Sequence, residues 1–118
     1  MKNIAVLISG GGSNLQSLID AVKRGEIDGK IVAVISSCED AYGLVRAKDA
    51  NIAGYVVTKR GKPRERFEQE ILGILKECRA QLVCLAGWML ILSPDFVKKA
   101  PVMMNIHPAL LPAFGGKG

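Results

Sequence analysis

Short apolar runs alternate with amphipathic stretches from one end of the chain to the other, and several runs, such as Ile4-Ala5-Val6-Leu7-Ile8, are apolar at every position. A glycine-rich turn, Ser9-Gly10-Gly11-Gly12-Ser13-Asn14, follows the first run directly. These observations predict an α/β fold: a doubly wound, mostly parallel sheet with helices on both faces. Strands covered on both sides lose the apolar–polar alternation of a half-exposed sheet. At 118 residues the chain reads as one domain, 1–118, with no linker or low-complexity segment. A chain of that length buries about 65% of the surface exposed by its unfolded form.

The elements follow in order. Ile4 to Ile8 reads as the first strand, and the glycines turn the chain into a helix from about Ser13 to Lys23, with Ser13 or Asn14 suited to cap it. Ile31 to Ile35 is the second strand, Tyr42 to Asp49 a helix, and Gly54 to Val57 the third strand. A helix from about Pro63 to Cys78 uses the fixed φ of Pro63 at its start. Leu82 to Ala86, a short helix near Pro94 to Lys99 and Val102 to Ile106 complete a βαβαβαβαβ order, a Rossmann-like arrangement. Pro108 and Pro112 forbid helix and central ladder pairing beyond the fifth strand. The chain then ends in Phe114-Gly115-Gly116-Lys117-Gly118, so the sheet is expected to be truncated there, with its exposed edge open to self-association. Ligands of open α/β sheets sit beyond the carboxyl ends of the strands. Ser9 to Asn14, Ser36 to Cys38, Ala86 to Met89 and Asn105 to His107 should therefore share one rim.

Composition narrows the function classes. The formal charge is +5, but Lys23, Arg24, Lys59, Arg60, Lys62, Arg64, Arg66, Lys98 and Lys99 are scattered without interleaved aromatics. That pattern favours anionic small molecules over nucleic acid. Cys38, Cys78 and Cys84 are odd in number, lack C-x-x-C spacing and share the chain with a single histidine, which argues against a disulfide framework or a metal site and reads them as core residues. No segment has transmembrane length and no signal-like run opens the chain, so a cytoplasmic protein without membrane contact is expected.

Four features carry possible chemistry. The glycine turn and the free N–H groups of the helix it opens fit a phosphate, or form merely a sharp strand-to-helix turn. The turn lacks the third glycine of a dinucleotide fingerprint and the Lys-Ser/Thr of a Walker A loop. Asn105 and His107, two apart at a strand end, project to one side: the first as a neutral hydrogen-bonding group, the second as a proton-transfer group or a satisfied structural histidine. Arg64 either reaches a carboxylate-bearing ligand or pairs with a glutamate one turn on. Trp88, just past a buried strand, either walls a flat heterocycle or fills the core.

Taken together, Ile8-Ser9-Gly10-Gly11-Gly12-Ser13-Asn14-Leu15, Leu85-Ala86-Gly87-Trp88-Met89-Leu90-Ile91-Leu92-Ser93-Pro94 and Asn105-Ile106-His107-Pro108-Ala109-Leu110-Leu111-Pro112 resemble the phosphoribosylglycinamide formyltransferases, over the whole chain. The resemblance implies transfer of a formyl group from 10-formyltetrahydrofolate to the amine of glycinamide ribonucleotide in purine biosynthesis, with no metal. It implies that Gly12, Ser13 and Asn14 hold the ribonucleotide phosphate, and that Arg64 with Met89, Leu90, Ile91 and Leu92 contacts the folate. Asn105 and His107 would be catalytic. Leu90 departs from the arginine many members carry. The family's chains also continue past this point, with an aspartate that pairs with the histidine. The neighbouring readings are another folate-dependent transferase or hydrolase, such as formyltetrahydrofolate deformylase or methionyl-tRNA formyltransferase, or a non-catalytic phosphate-binding remnant. The Gly-Ser-Asn loop is not expected in the tRNA enzyme.

Overall fold

The computed structural model describes residues 1–106. His107, the Pro108–Pro112 stretch and the glycine-rich end lie outside the described residues. The chain alternates strictly: β1 (Lys2–Ile8), α1 (Ser13–Lys23), β2 (Gly29–Ser36), α2 (Tyr42–Asp49), β3 (Gly54–Val56), α3 (Arg64–Glu77), β4 (Leu82–Leu85), α4 (Pro94–Lys99) and β5 (Val102–Asn105). The five strands form one sheet in the order β3-β2-β1-β4-β5, and every pairing is parallel. The winding direction reverses at β1, so the gap between the loops after β1 and β4 is the topological switch point.

Burial on both faces explains the unbroken apolar runs. Ile4, Val6 and Ile8 of β1 point into a core completed by Leu15, Leu18 and Ile19 of α1 and Ala47 of α2. Ala5 and Leu7 point the other way, onto Phe67, Ile71 and Leu75 of α3 and Phe96 of α4. A fully buried Leu, Ile or Phe contributes about 1.5–3 kcal/mol, so two such layers on one central strand make β1 the anchor of the domain. A single register slip interrupts β2: Ile4 pairs with Ile31 but Ala5 with Ala33, leaving Val32 as the extra residue of a bulge.

Element ends differ from expectation by one or two residues, for identifiable reasons. β1 and β2 extend to Lys2 and Gly29 at one end, and β2 reaches Ser36 at the other, because Lys2 pairs with Gly29 and Ile8 with Ser36 through backbone alone. Hydropathy does not register such pairs. The cap of α1 is Gly12 in the left-handed region, φ 78°, rather than Ser13 or Asn14. Pro63 is the cap of α3 rather than its first helical residue. Ser93 caps α4 through its side chain, 3.1 Å from the Phe96 N–H, with Pro94 following. Cys84 is buried as expected of a core residue, whereas Cys38 and Cys78 are only half-buried. No helix among the described residues is long and apolar enough to cross a membrane.

Candidate functional site

The strand-end segments meet on one rim, and hydroxyls join them. Ser9, after β1, lies 2.8 Å from the Ser37 hydroxyl after β2 and accepts the Met89 N–H, after β4, at 3.0 Å. Ser36 closes the turn behind Ser37, its hydroxyl donating to the Cys38 carbonyl at 2.7 Å and accepting the Cys38 N–H at 3.0 Å. At the far side Leu85 pairs with Asn105, and the Ile106 N–H donates to the Leu85 carbonyl at 2.9 Å. Asn105 is exposed at the carboxyl end of edge strand β5.

The glycine loop lines a cleft of about 220 Å³ with Ser13, Asn14, Ala86, Gly87 and Arg46. The first intrahelical bond of α1 is Gln16 N–H to the Gly12 carbonyl, 2.8 Å. The N–H groups of Ser13, Asn14 and Leu15 therefore have no acceptor within the helix, the usual condition for anion binding. The loop is shaped by α2. Gly43 N–H donates to the Gly10 carbonyl at 3.2 Å, and Arg46 Nε donates to the Gly11 carbonyl at 2.8 Å. A Cβ on Gly12 would stand 2.7 Å from the Gly43 Cα, so both glycines serve a backbone-to-backbone contact.

The segment after β4 divides its side chains. Trp88 lies against the α3 face, stacked on Phe67 with ring centroids 6.2 Å apart and planes 18° from parallel. That is the core-filling reading rather than a wall at the rim, although its buried Nε1 has no hydrogen-bond partner among the described residues. Leu90 and Leu92 also pack toward that face, while Met89 and Ile91 are each 79% exposed. The segment is anchored by Glu68. This residue of α3 is buried, and its carboxylate accepts the Ser93 N–H at 2.8 Å and the Ser93 hydroxyl at 2.6 Å.

Arg64 is exposed and makes no ion pair among the described residues; Glu70 is engaged by Lys62 and Arg66 instead. The glutamate pairing weighed for Arg64 is therefore not made. Arg64 lines a cleft of about 630 Å³ with Glu68, Ser93, Asp95 and Lys99. Leu90 opens on a different cleft of about 510 Å³ with Ser37, Cys38, Lys59 and Arg60. Gly12, Ser13 and Asn14 thus share one cavity, whereas Arg64 and Leu90 do not, and His107 lies outside the described residues. Sequence reasoning missed Arg46 and Glu68, whose partners lie 35 and 25 residues away. Among the described residues no cluster of His, Cys, Asp or Glu has the spacing of a metal site. Burial pushes the Cys84 thiol up to about 11 and raises that of Cys78, so neither presents a thiolate near neutral pH.

The fold and rim define a doubly wound α/β protein with an anion-sized cleft at the switch point of its sheet. The chain belongs to the formyl transferase family, whose model matches residues 2–118. It is 47% identical to the phosphoribosylglycinamide formyltransferase of Haemophilus influenzae, the alignment covering 98% of this chain and 56% of that protein. Against the enzyme of that name from Escherichia coli K12 the identity is 46%, covering 97% of this chain and 55% of the other. The crystal structure of glycinamide ribonucleotide transformylase 1 from Symbiobacterium toebii superposes with a TM-score of 0.85 at 41% identity, covering 98% of this chain and 56% of that one. The chain thus spans a little over half the length of these relatives.

Proposed function

We propose that residues 1–118 are the amino-terminal, nucleotide-binding part of a phosphoribosylglycinamide formyltransferase acting in the cytoplasm. The observation that carries the reading is the cleft of Gly12, Ser13 and Asn14 beside the rim that ends in Asn105, in a chain 47% identical to the Haemophilus influenzae enzyme of that name. The helix-opening N–H groups of Ser13 and Asn14 hold the ribonucleotide phosphate, which directs the substrate amine along the rim toward β5. Two large apolar side chains held 79% exposed, Met89 and Ile91, fit the flat ring of a folate, with Arg64 available for a carboxylate. 10-Formyltetrahydrofolate supplies the formyl group. As the amine nitrogen bonds to the formyl carbon, negative charge collects on the formyl oxygen, where the Asn105 amide and a protonated His107 donate hydrogen bonds. As the bond between the formyl carbon and the folate nitrogen breaks, His107 gives its proton to that departing nitrogen and then takes up the proton lost by the attacking amine, which restores its starting state. Among the described residues β5 pairs only with β4, and its outer edge, with Val102 73% and Met104 49% exposed, favours self-association of the chain on its own.

The test is a formyl-transfer assay on this sequence joined to the remainder of a full-length relative. Asn105→Ala and His107→Ala should each lower turnover by about 100-fold or more with ribonucleotide binding retained. Near-normal turnover of His107→Ala would remove the proposed mechanism, and failure of the parent protein to bind glycinamide ribonucleotide would remove the reading itself.

A further inference from the structure

Arg46 stands at the glycine-loop cleft in a way the assigned roles leave unexplained. It projects from α2, which contributes no other side chain to that cleft. Its guanidinium is held by three contacts: Nε on the Gly11 carbonyl at 2.8 Å, Nη1 on the Gln16 side-chain oxygen at 3.3 Å, and the Tyr42 ring, whose centroid lies 5.1 Å from the guanidinium carbon. Gln16 is itself fixed by donating to Asp20 at 3.0 Å. None of the ion pairs among the described residues involves Arg46. A half-buried arginine oriented by neutral groups, with no carboxylate partner among the described residues, stands ready for an anion in the cleft it lines.

The hydrogen bonds also orient the loop. A trans peptide points its N–H opposite to its C=O, and the chain has no cis peptide among the described residues. With the Gly10 carbonyl on Gly43 N–H and the Gly11 carbonyl on Arg46, the N–H groups of Gly11 and Gly12 are turned away from α2. We infer that Arg46 is a positioning residue of the phosphate site: it sets the direction of the loop amides through Gly11 and supplies the cationic charge that a phosphate dianion meets there. The inference rests on the ribonucleotide reading above.

Isothermal titration of the full chain with glycinamide ribonucleotide and with its dephosphorylated riboside tests it. The parent protein should prefer the ribonucleotide by at least about tenfold, Arg46→Met should lose most of that preference, and riboside binding should stay unchanged. Arg46→Lys keeps the charge but not the planar fork, and should fall between the two. A folded Arg46→Met that retains the preference overturns the role of Arg46 while leaving the ribonucleotide reading intact. If Arg46→Met does not fold, Arg46→Lys decides, and ribonucleotide binding as tight as the parent's overturns the positioning role. A parent protein with no preference between the ligands defeats both readings.

Discussion

Replacing Gly12 with alanine should damage the domain itself, whereas the same change one residue earlier should not. Alanine at position 12 would have to hold φ 78°, which costs a residue with a Cβ about 1–2 kcal/mol. Its Cβ would also meet the Gly43 Cα at 2.7 Å, short of ordinary contact, and the obstacle is backbone rather than a flexible side-chain end. Helix α2 would have to withdraw by roughly 1 Å, stretching the 3.2 Å Gly43–Gly10 and 2.8 Å Arg46–Gly11 hydrogen bonds. Overpacking of this kind costs about 1–3 kcal/mol, so the total is about 2–5 kcal/mol. At Gly11 an added Cβ finds nothing within 4 Å and φ is not positive, so the expected change is within about 0.5 kcal/mol. Urea unfolding followed by far-ultraviolet circular dichroism, with unchanged m-values, measures both. If Gly12→Ala and Gly11→Ala unfold within about 0.5 kcal/mol of each other, the close approach of loop and helix is not the constraint described. Gly11→Ala is accordingly the cleaner probe of anion binding.

Glu68→Ala removes both acceptors of Ser93 and should cost about 2–4 kcal/mol, a Tm fall of roughly 10 °C or more, with Glu68→Gln losing less; a fall under about 3 °C for the alanine variant would show that the tie between α3 and Ser93 is dispensable. Cys84 gives a pH dependence of known sign. Its thiol ionises at about 11 when folded against 9.0 when free, so above about pH 9 the unfolded chain loses its proton first and stability falls as pH rises, by on the order of 2 kcal/mol. Below pH 9 the contribution is fully present. Unfolding free energies at pH 8 and 10.5 for the parent and Cys84→Ala should differ in slope, and equal slopes would refute the assignment.

The sheet was readable because its evidence is local. The run Ile4-Ala5-Val6-Leu7-Ile8 announces burial on both faces without reference to any partner. Ser9, Ser37 and Met89 could be placed on one rim because parallel winding leaves no other location for strand ends. Glu68 was hidden because it stands among Glu65 and Glu70 on a helix that reads as an ordinary solvated face, and only the return of the chain at Ser93 buries it. Arg46 was hidden for a similar reason: one cation among scattered cations acquires meaning only from a carbonyl 35 residues earlier. In sequence Trp88 suits rim and core equally, and its stack on Phe67 decides for the core.

Helix α2 has eight residues, fewer than a peptide helix needs to persist alone in water. Its order is therefore borrowed from the sheet and from its three attachments to the glycine loop, and the loop in turn borrows from α2. The two should open and close as a single cooperative unit, with amide hydrogens of residues 10–14 and 42–49 exchanging at a common rate. If the loop binds a phosphate as proposed, its affinity scales with the closed fraction of that unit, and a surface substitution that frays α2 should weaken binding without touching the anion.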